Sequence, residues 1–109
     1  MATDAPFAST EFVAVHADGS RGPVHVSVGV PTRRDTGEWR CRVRLDGLEP
    51  SLPDIAGEDA LQSLGLAFQL LGQLLARFEA TGGRLEFPGG GRVPLAAYFG
   101  ASGARRDAG

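Results

Sequence analysis

Arg40, Arg42 and Arg44 alternate along one short stretch of this 109-residue chain. Side chains at alternate positions of a strand share one face, about 7 Å apart. Three guanidinium groups spaced in this way suit an anionic partner, such as an acidic protein patch or a phosphate backbone. His25 joins them if its strand pairs so that it faces Arg44. No aromatic platform accompanies the arginines, as single-strand recognition would favour. The net charge of -2 supplies no bulk attraction to nucleic acid or to an acidic membrane. The plain alternative is a solvated sheet face with Glu11, Glu38 or Glu86 as neighbours. All eleven basic residues are Arg, Lys and Asn are absent, and Ile occurs only at position 55. GC-rich codons explain that choice, so Arg in place of Lys carries little functional weight.

The other reactive residue types fall into structural settings. Cys41 is the sole cysteine, which excludes an intrachain disulfide and a cysteine-cluster zinc site. Strand alternation turns it inward beside Trp39 and away from His25, as a buried and inert thiol. His16 and His25 lack zinc-ligand spacing. Asp46, Glu49, Asp54, Glu58 and Asp59 are a candidate for metal or acid/base work. They fit no calcium loop, however. Asp46 precedes a turn glycine, and Glu58 and Asp59 stand where a helix begins and its dipole favours carboxylates. Residues 88–92, Pro-Gly-Gly-Gly-Arg, lack the Gly-Lys-Ser/Thr ending of a phosphate loop and read as a turn. The expectation is a domain without catalytic residues, metal or cofactor.

The elements that position these residues follow from periodicity. Strands are predicted over 10–16, 24–30 and 39–45. The second alternates Val24, Val26, Val28 and Val30, and the third Trp39, Cys41, Val43 and Leu45. Facing both apolar sets inward pairs Val30 with Trp39, Val28 with Cys41, Val26 with Val43 and Val24 with Leu45. The other face then pairs Gly29 with Arg40, Ser27 with Arg42 and His25 with Arg44. Residues 48–56 read as a connection. A helix is predicted over 58–80, stopped by Gly82. Its stripe of Leu61, Leu64, Phe68, Leu71, Leu75 and Phe78 should lie on the sheet. A fourth strand at 84–87 and a last apolar turn at 95–99 follow. The fold class is α+β: an antiparallel sheet of about four strands, in the order β-β-β-α-β, packed on one long helix. The core should hold Val26, Val28, Trp39, Cys41, Val43, Leu61, Leu64, Phe68, Leu71, Leu75, Leu85 and Phe87. One domain should span 10–99, between flexible termini at 1–9 and 100–109.

Several signatures resemble a family of small bacterial domains of unknown function. They are Val28-Gly29-Val30-Pro31, Trp39-Arg40-Cys41, Asp46-Gly47-Leu48, the run from Gly57 to Ala67 and Gly91-Arg92-Val93-Pro94. The likeness spans roughly residues 11–95. Its most specific part is the helix start Gly57-x-Asp59-x-x-Gln62-x-Leu64, where Ala60 stands at a position at which the resemblance leads one to expect Ser in many relatives. The resemblance implies a shared bacterial fold. It supplies no activity and no catalytic residue.

One helix edge remains. Leu66 and Leu70 lie outside the predicted stripe, so the 48–56 connection, the 95–99 turn or another chain must cover them. Gly65 and Gly72 on one side permit close approach of another backbone, though clearance above the sheet is the preferred reading. Residues 60–76 carry no charge. A membrane span needs about 20 mainly apolar residues, and this run holds Gln62, Ser63, Gln69 and Gln73, so it reads as a buried amphipathic helix. The N-terminus does not read as a signal peptide. The expected setting is the cytoplasm, and the expected function is protein interaction or homodimerisation, with a toxin-immunity protein as one form. Anion binding through Arg40, Arg42, Arg44 and His25 is the alternative, with nucleic acid the less favoured anion.

Overall fold

The computed structural model describes residues 6–100. Its elements in chain order are β1 (Ala8–Val15), β2 (Arg21–Val28), β3 (Thr32–Arg33), β4 (Trp39–Cys41), β5 (Val43–Asp46), β6 (Ile55–Gly57), α1 (Ala60–Ala80), β7 (Arg84–Glu86) and α2 (Leu95–Phe99). The fold is α+β, with antiparallel strands and one long helix packed on them. Two sheets replace the predicted single one: β5-β2-β1-β7 and β3-β4-β6. Strand β1 starts at Ala8, two residues ahead of the expected 10. Residues 1–5 and 101–109, which include most of the expected flexible termini, lie outside the described residues.

A bend in one long hairpin creates both sheets. Strand β2 pairs with β5 by matching Val28 with Val43, Val26 with Leu45, Ser27 with Arg44 and His25 with Asp46. The predicted register is therefore shifted by two residues. An even slip keeps every side chain on its face, so Val26, Val28, Val43 and Leu45 still point into the core. The shift has a local cause. Gly29 N–H donates to the Arg42 carbonyl at 2.7 Å, and the Cys41 thiol donates to the Gly29 carbonyl at 3.4 Å. Beyond this point β3 matches Arg33 with Trp39, one residue out of step with the β2–β5 ladder. Val30 and Pro31 take up the offset, and Pro31 has no N–H to give a ladder. A Cβ on Gly29 would lie 3.3 Å from that of Arg42, so the bend brings the two strands close.

The predicted helix start and stop hold to within two residues. Asp59 is the N-cap, its Oδ1 accepting from Gln62 N–H at 2.8 Å, while Gln62 Oε1 accepts from Glu58 N–H at 2.7 Å. Those reciprocal bonds satisfy N–H groups at the helix start, much as a capping box does. Gly82 follows the C-cap at φ +102, and Gly83 N–H donates to the Phe78 carbonyl.

The predicted rotation of the helix holds at Leu71 and Leu75, which are buried, and fails at Leu61 and Phe68. Its buried residues are Ser63, Ala67, Leu71, Gly72, Leu74 and Leu75, whereas Leu61 is 79% exposed and Phe68 37% exposed. The cause is a close approach to β6. Ser63 Oγ–H donates to the Ile55 carbonyl at 2.8 Å, and a Cβ on Gly57 would lie 2.5 Å from Ser63 N. Only small residues fit there, so Ser63 and Ala67 turn to the sheet in the first half of the helix while Leu61 and Phe68 turn out. Trp39, Leu64 and Phe87, expected in the core, are half-buried, and Phe12, Val24, Leu45, Ala67, Leu74 and Val93 join it. β6 itself was read as part of a connection. Among the described residues no helix is long and apolar enough to cross a membrane.

Gly57→Ala therefore forces backbone against backbone. It should lower unfolding stability by about 1–3 kcal/mol in urea titrations. Gly65→Ala meets nothing within 4 Å and should instead raise stability by about 0.5–1 kcal/mol.

Candidate functional site

The arginine stripe predicted as one row is divided between the two sheets. Arg40 lies on β4, Arg44 on β5, and Arg42 at the break between them. Each stands beside a carboxylate: Arg40 by Glu38, Arg42 by Asp54 at 3.8 Å, and Arg44 by Asp46 at 3.4 Å. Arg34 adds a second contact to Asp54 at 3.3 Å. Exposed pairs of this kind contribute about 0–1 kcal/mol each, so they neutralise the stripe more than they hold the fold. Arg42 and Arg44 border a depression of about 240 Å³ that Asp46, Glu49 and Asp54 also line. Arg40 instead borders a depression with Arg33, Arg34, Asp35 and Glu38. The β3–β4 hairpin brings Arg33 and Arg34 beside Arg40, a grouping the strand pattern did not reveal.

His25 faces Asp46 on β5 and Glu11 on β1, not Arg44, as the two-residue shift requires. It is exposed, on the sheet face that points away from α1. That face reads, across the strands, Arg44–Ser27–Ser9, Asp46–His25–Glu11, Pro23–Val13–Glu86 and Arg21–Val15–Arg84. Glu86 binds it together at one end. Its carboxylate accepts from Arg21 at 2.8 Å and from Arg84 at 2.9 Å. The Arg21 bond reaches from β2 to β7 across β1, whose Val15 is buried on this face, as is Ser27.

Cys41 lies in the core with no exposed surface, and burial pushes its thiol above the ordinary cysteine value of 9.0. That favours the neutral thiol, which is the unreactive form. Asp59 caps α1 and Asp54 pairs with two arginines, so neither carboxylate is free. Among the described residues no three of His, Cys, Asp and Glu come together as a metal-binding group would. Residues 88–91 form a turn that Gly90 and Gly91 enter at positive φ, with Phe87 N–H donating to the Gly91 carbonyl.

The helix residues separate. Leu70 is half-buried against the core, covered within the chain. Leu66 is 39% exposed, but at about 3.6 residues per turn it lies about 140° round α1 from Leu61 and about 160° from Phe68, so it borders the opposite edge of the outer surface. Gly72 is occupied, since a Cβ there would meet the Phe99 ring side chain of α2 at 2.9 Å, whereas Gly65 faces open space. Tyr98 and Phe99 of α2 extend the surface. Tyr98 stands edge-on to Phe12 with centroids 5.4 Å apart, and Phe99 lies 6.4 Å from Phe68. The helical spacing of large apolar residues predicts Leu61 and Phe68 in the core, and the structure exposes both. The signal that would have corrected this is the small pair Ser63 and Ala67, four residues apart.

A family described as a domain of unknown function (DUF6968) matches the chain over residues 10–96. No curated protein and no solved structure matches it.

The Arg21–Glu86–Arg84 cluster sets a pH dependence. The Arg21 hydrogen bond, then that of Arg84, holds the Glu86 carboxyl below its ordinary value of 4.5. A folded value below the unfolded one stabilises above the unfolded value, and the contribution is lost as pH falls through the folded value. Glu86→Gln should lower the thermal midpoint at neutral pH and lose less than the natural protein on acidification below 4.5. Parallel melts across that range check it.

Proposed function

The chain belongs to the DUF6968 family, a domain of unknown function, and on that premise we propose that it is a protein-interaction domain that docks through the outer face of α1. The observation that carries this reading is the exposure of large apolar side chains at both edges of the outer side of α1, Leu61 and Phe68 at one and Leu66 at the other, on a stretch with no charge from residue 60 to 76. Exposed large apolar side chains mark contact surfaces more often than chance placement. With no charge on this stretch, a partner has the amides of Gln62, Gln69 and Gln73 to desolvate but no ionised group. Open space at Gly65 lets a partner's backbone come close.

Anion binding by Arg40, Arg42 and Arg44 is the weaker reading, because each already has a carboxylate beside it. A non-catalytic role is supported by the structural partners of Asp46, Asp54, Asp59 and Glu86. A free, buried thiol at Cys41 fits a reducing compartment such as the cytoplasm.

The test is affinity capture from native lysate with the natural protein and with a Leu61→Ser/Leu66→Ser variant, each with and without nuclease. The natural protein should retain a stoichiometric partner or a second copy of itself, and the variant should retain at least about tenfold less. Equal retention by the variant would remove the helix face from the argument. Nuclease-sensitive material lost on changing the three arginines to serine would move the function to them.

A further inference from the structure

The strand edges of this fold are unequally protected. Along the outer side of β5, Glu49 N–H donates back to the Leu45 carbonyl. Along the outer side of β7, Val93 N–H donates to the Leu85 carbonyl and Phe87 N–H to that of Gly91. β3 is two residues long and β6 three. The exception lies inside the sheet. β7 covers only Val13–Val15 of the eight-residue β1, so the stretch from Ala8 to Phe12 has β2 on one side and no strand on the other among the described residues.

Backbone alternation shows which groups this leaves. Gly29 N–H points to the β5 side, towards Arg42. The backbone groups of Val28, Val26 and Val24 therefore point to β1, and those of their partners Ala8, Thr10 and Phe12 point back. The N–H and C=O groups of Ser9 and Glu11 are left facing the open side. Proteins usually guard such an edge with lysine, proline or a covering segment. This one carries a single charge, at Glu11.

The surroundings suit a strand in particular. Beside the edge lies an apolar cavity of about 210 Å³, lined by Ala8, Thr10, Phe68, Leu71, Tyr98 and Phe99. Small-molecule pockets start near about 300 Å³, so this space suits side chains of an adjoining polypeptide better than a separate ligand. Phe7 is 56% exposed just ahead of the edge. Its N–H donates to the Val28 carbonyl, opposite Ala8, so two residues face one and a bulge ends the ladder there.

We propose that this edge pairs with the same edge of a second copy, antiparallel about a two-fold axis through Thr10. The register matches Ser9 with Glu11 and Ala8 with Phe12 across the axis. It uses the free groups of Ser9 and Glu11 in both copies and stops where β7 begins. Glu11 meets Ser9 and never itself, so no like charges oppose each other. Each Phe7 leaves the ladder beside the Phe12, Phe87 and Tyr98 rings of the other copy. Shared use of one patch by both copies is the rule for two-fold dimers. The inference rests on the reading of the domain as an interaction module and names a second copy as a partner at a further edge.

Sedimentation velocity over a dilution series tests it with the full chain, two edge variants and the Leu61→Ser/Leu66→Ser variant, their folding checked by thermal melts. The natural protein should reach twice the chain mass. Ser9→Glu sets two pairs of like charges across the axis and should weaken the dimer on the order of tenfold. Adding Glu11→Lys to Ser9→Glu converts both pairs to attraction and should restore it. A strictly monomeric natural protein overturns the pairing, as does a dimer indifferent to Ser9→Glu or a weakened one that Glu11→Lys fails to rescue. A monomer that still captures a partner through Leu61 and Leu66 overturns the pairing alone and leaves the interaction module standing. A dimer lost only in the Leu61→Ser/Leu66→Ser variant does the same.

Discussion

The rotation of α1 is set where it comes closest to a strand, at Ser63 over Ile55 and Gly57. The Ser63 hydrogen bond to Ile55 nets about 1 kcal/mol, too little to orient a 21-residue helix by itself. Steric exclusion decides it. With Gly57 packed against the Ser63 backbone, no larger side chain can occupy either position. Ala67, Leu71 and Leu75 then follow Ser63 inward along the same face at helical spacing. Each leucine contributes about 1.5–3 kcal/mol of burial, which the close approach directs but does not supply. The same arrangement recurs further along. Gly72 leaves room for Phe99, and Gly83 lies under the Phe78 ring. Glycine against a neighbour holds the helix at its start, middle and end.

Two small sheets need one helix between them because both come from one bent hairpin. At Gly29 and Arg42 the paired strands turn from one sheet into the other, with Cys41 in the core at the turn. That bend disperses what looks like a single row of arginines. A straight strand would set Arg40, Arg42 and Arg44 on one face as a concentrated positive field. The bent one sends Arg40 towards the β3–β4 hairpin and leaves Arg42 and Arg44 by a depression with three carboxylates. Charge that would have attracted an anion is balanced within the fold.

What could be read from the residues alone divides along a physical line. Period-two alternation assigns strand faces, and it placed Val26, Val28, Cys41 and Val43 inward correctly even with the register two residues out. Register depends on where a ladder is interrupted, and the interruption at Val30 and Pro31 appears only once Arg42 is seen to pair with Gly29. Helix limits were legible because Asp59 and Gly82 act locally. Helix rotation was not, because hydrophobic ranking places Leu61 and Phe68 above Ser63 and Ala67, and a contact between small residues has no apolar signature. The interaction surface was half legible for the same reason. Leu66 was visible as an outlier, while Leu61 and Phe68 were hidden in the predicted core.

The surfaces left over are connected. Phe68 belongs both to the uncharged outer side of α1 and to the cavity beside the β1 edge, where Tyr98 and Phe99 adjoin it. A chain that adds to the edge at Ser9 and Glu11 brings its own mass against the α1–α2 corner, not into open solvent. Main-chain pairing alone provides little discrimination between partners, since every polypeptide offers the same groups. The apolar corner supplies it, by favouring a partner whose side chains fill the space around Phe68 and Tyr98. On the proposed pairing, hydrogen bonds at Ser9 and Glu11 fix register and apolar burial around Phe68 and Tyr98 sets strength. Leu66, on the opposite edge of α1, stays outside that contact, so loss of the pairing leaves the outer side of the helix able to dock.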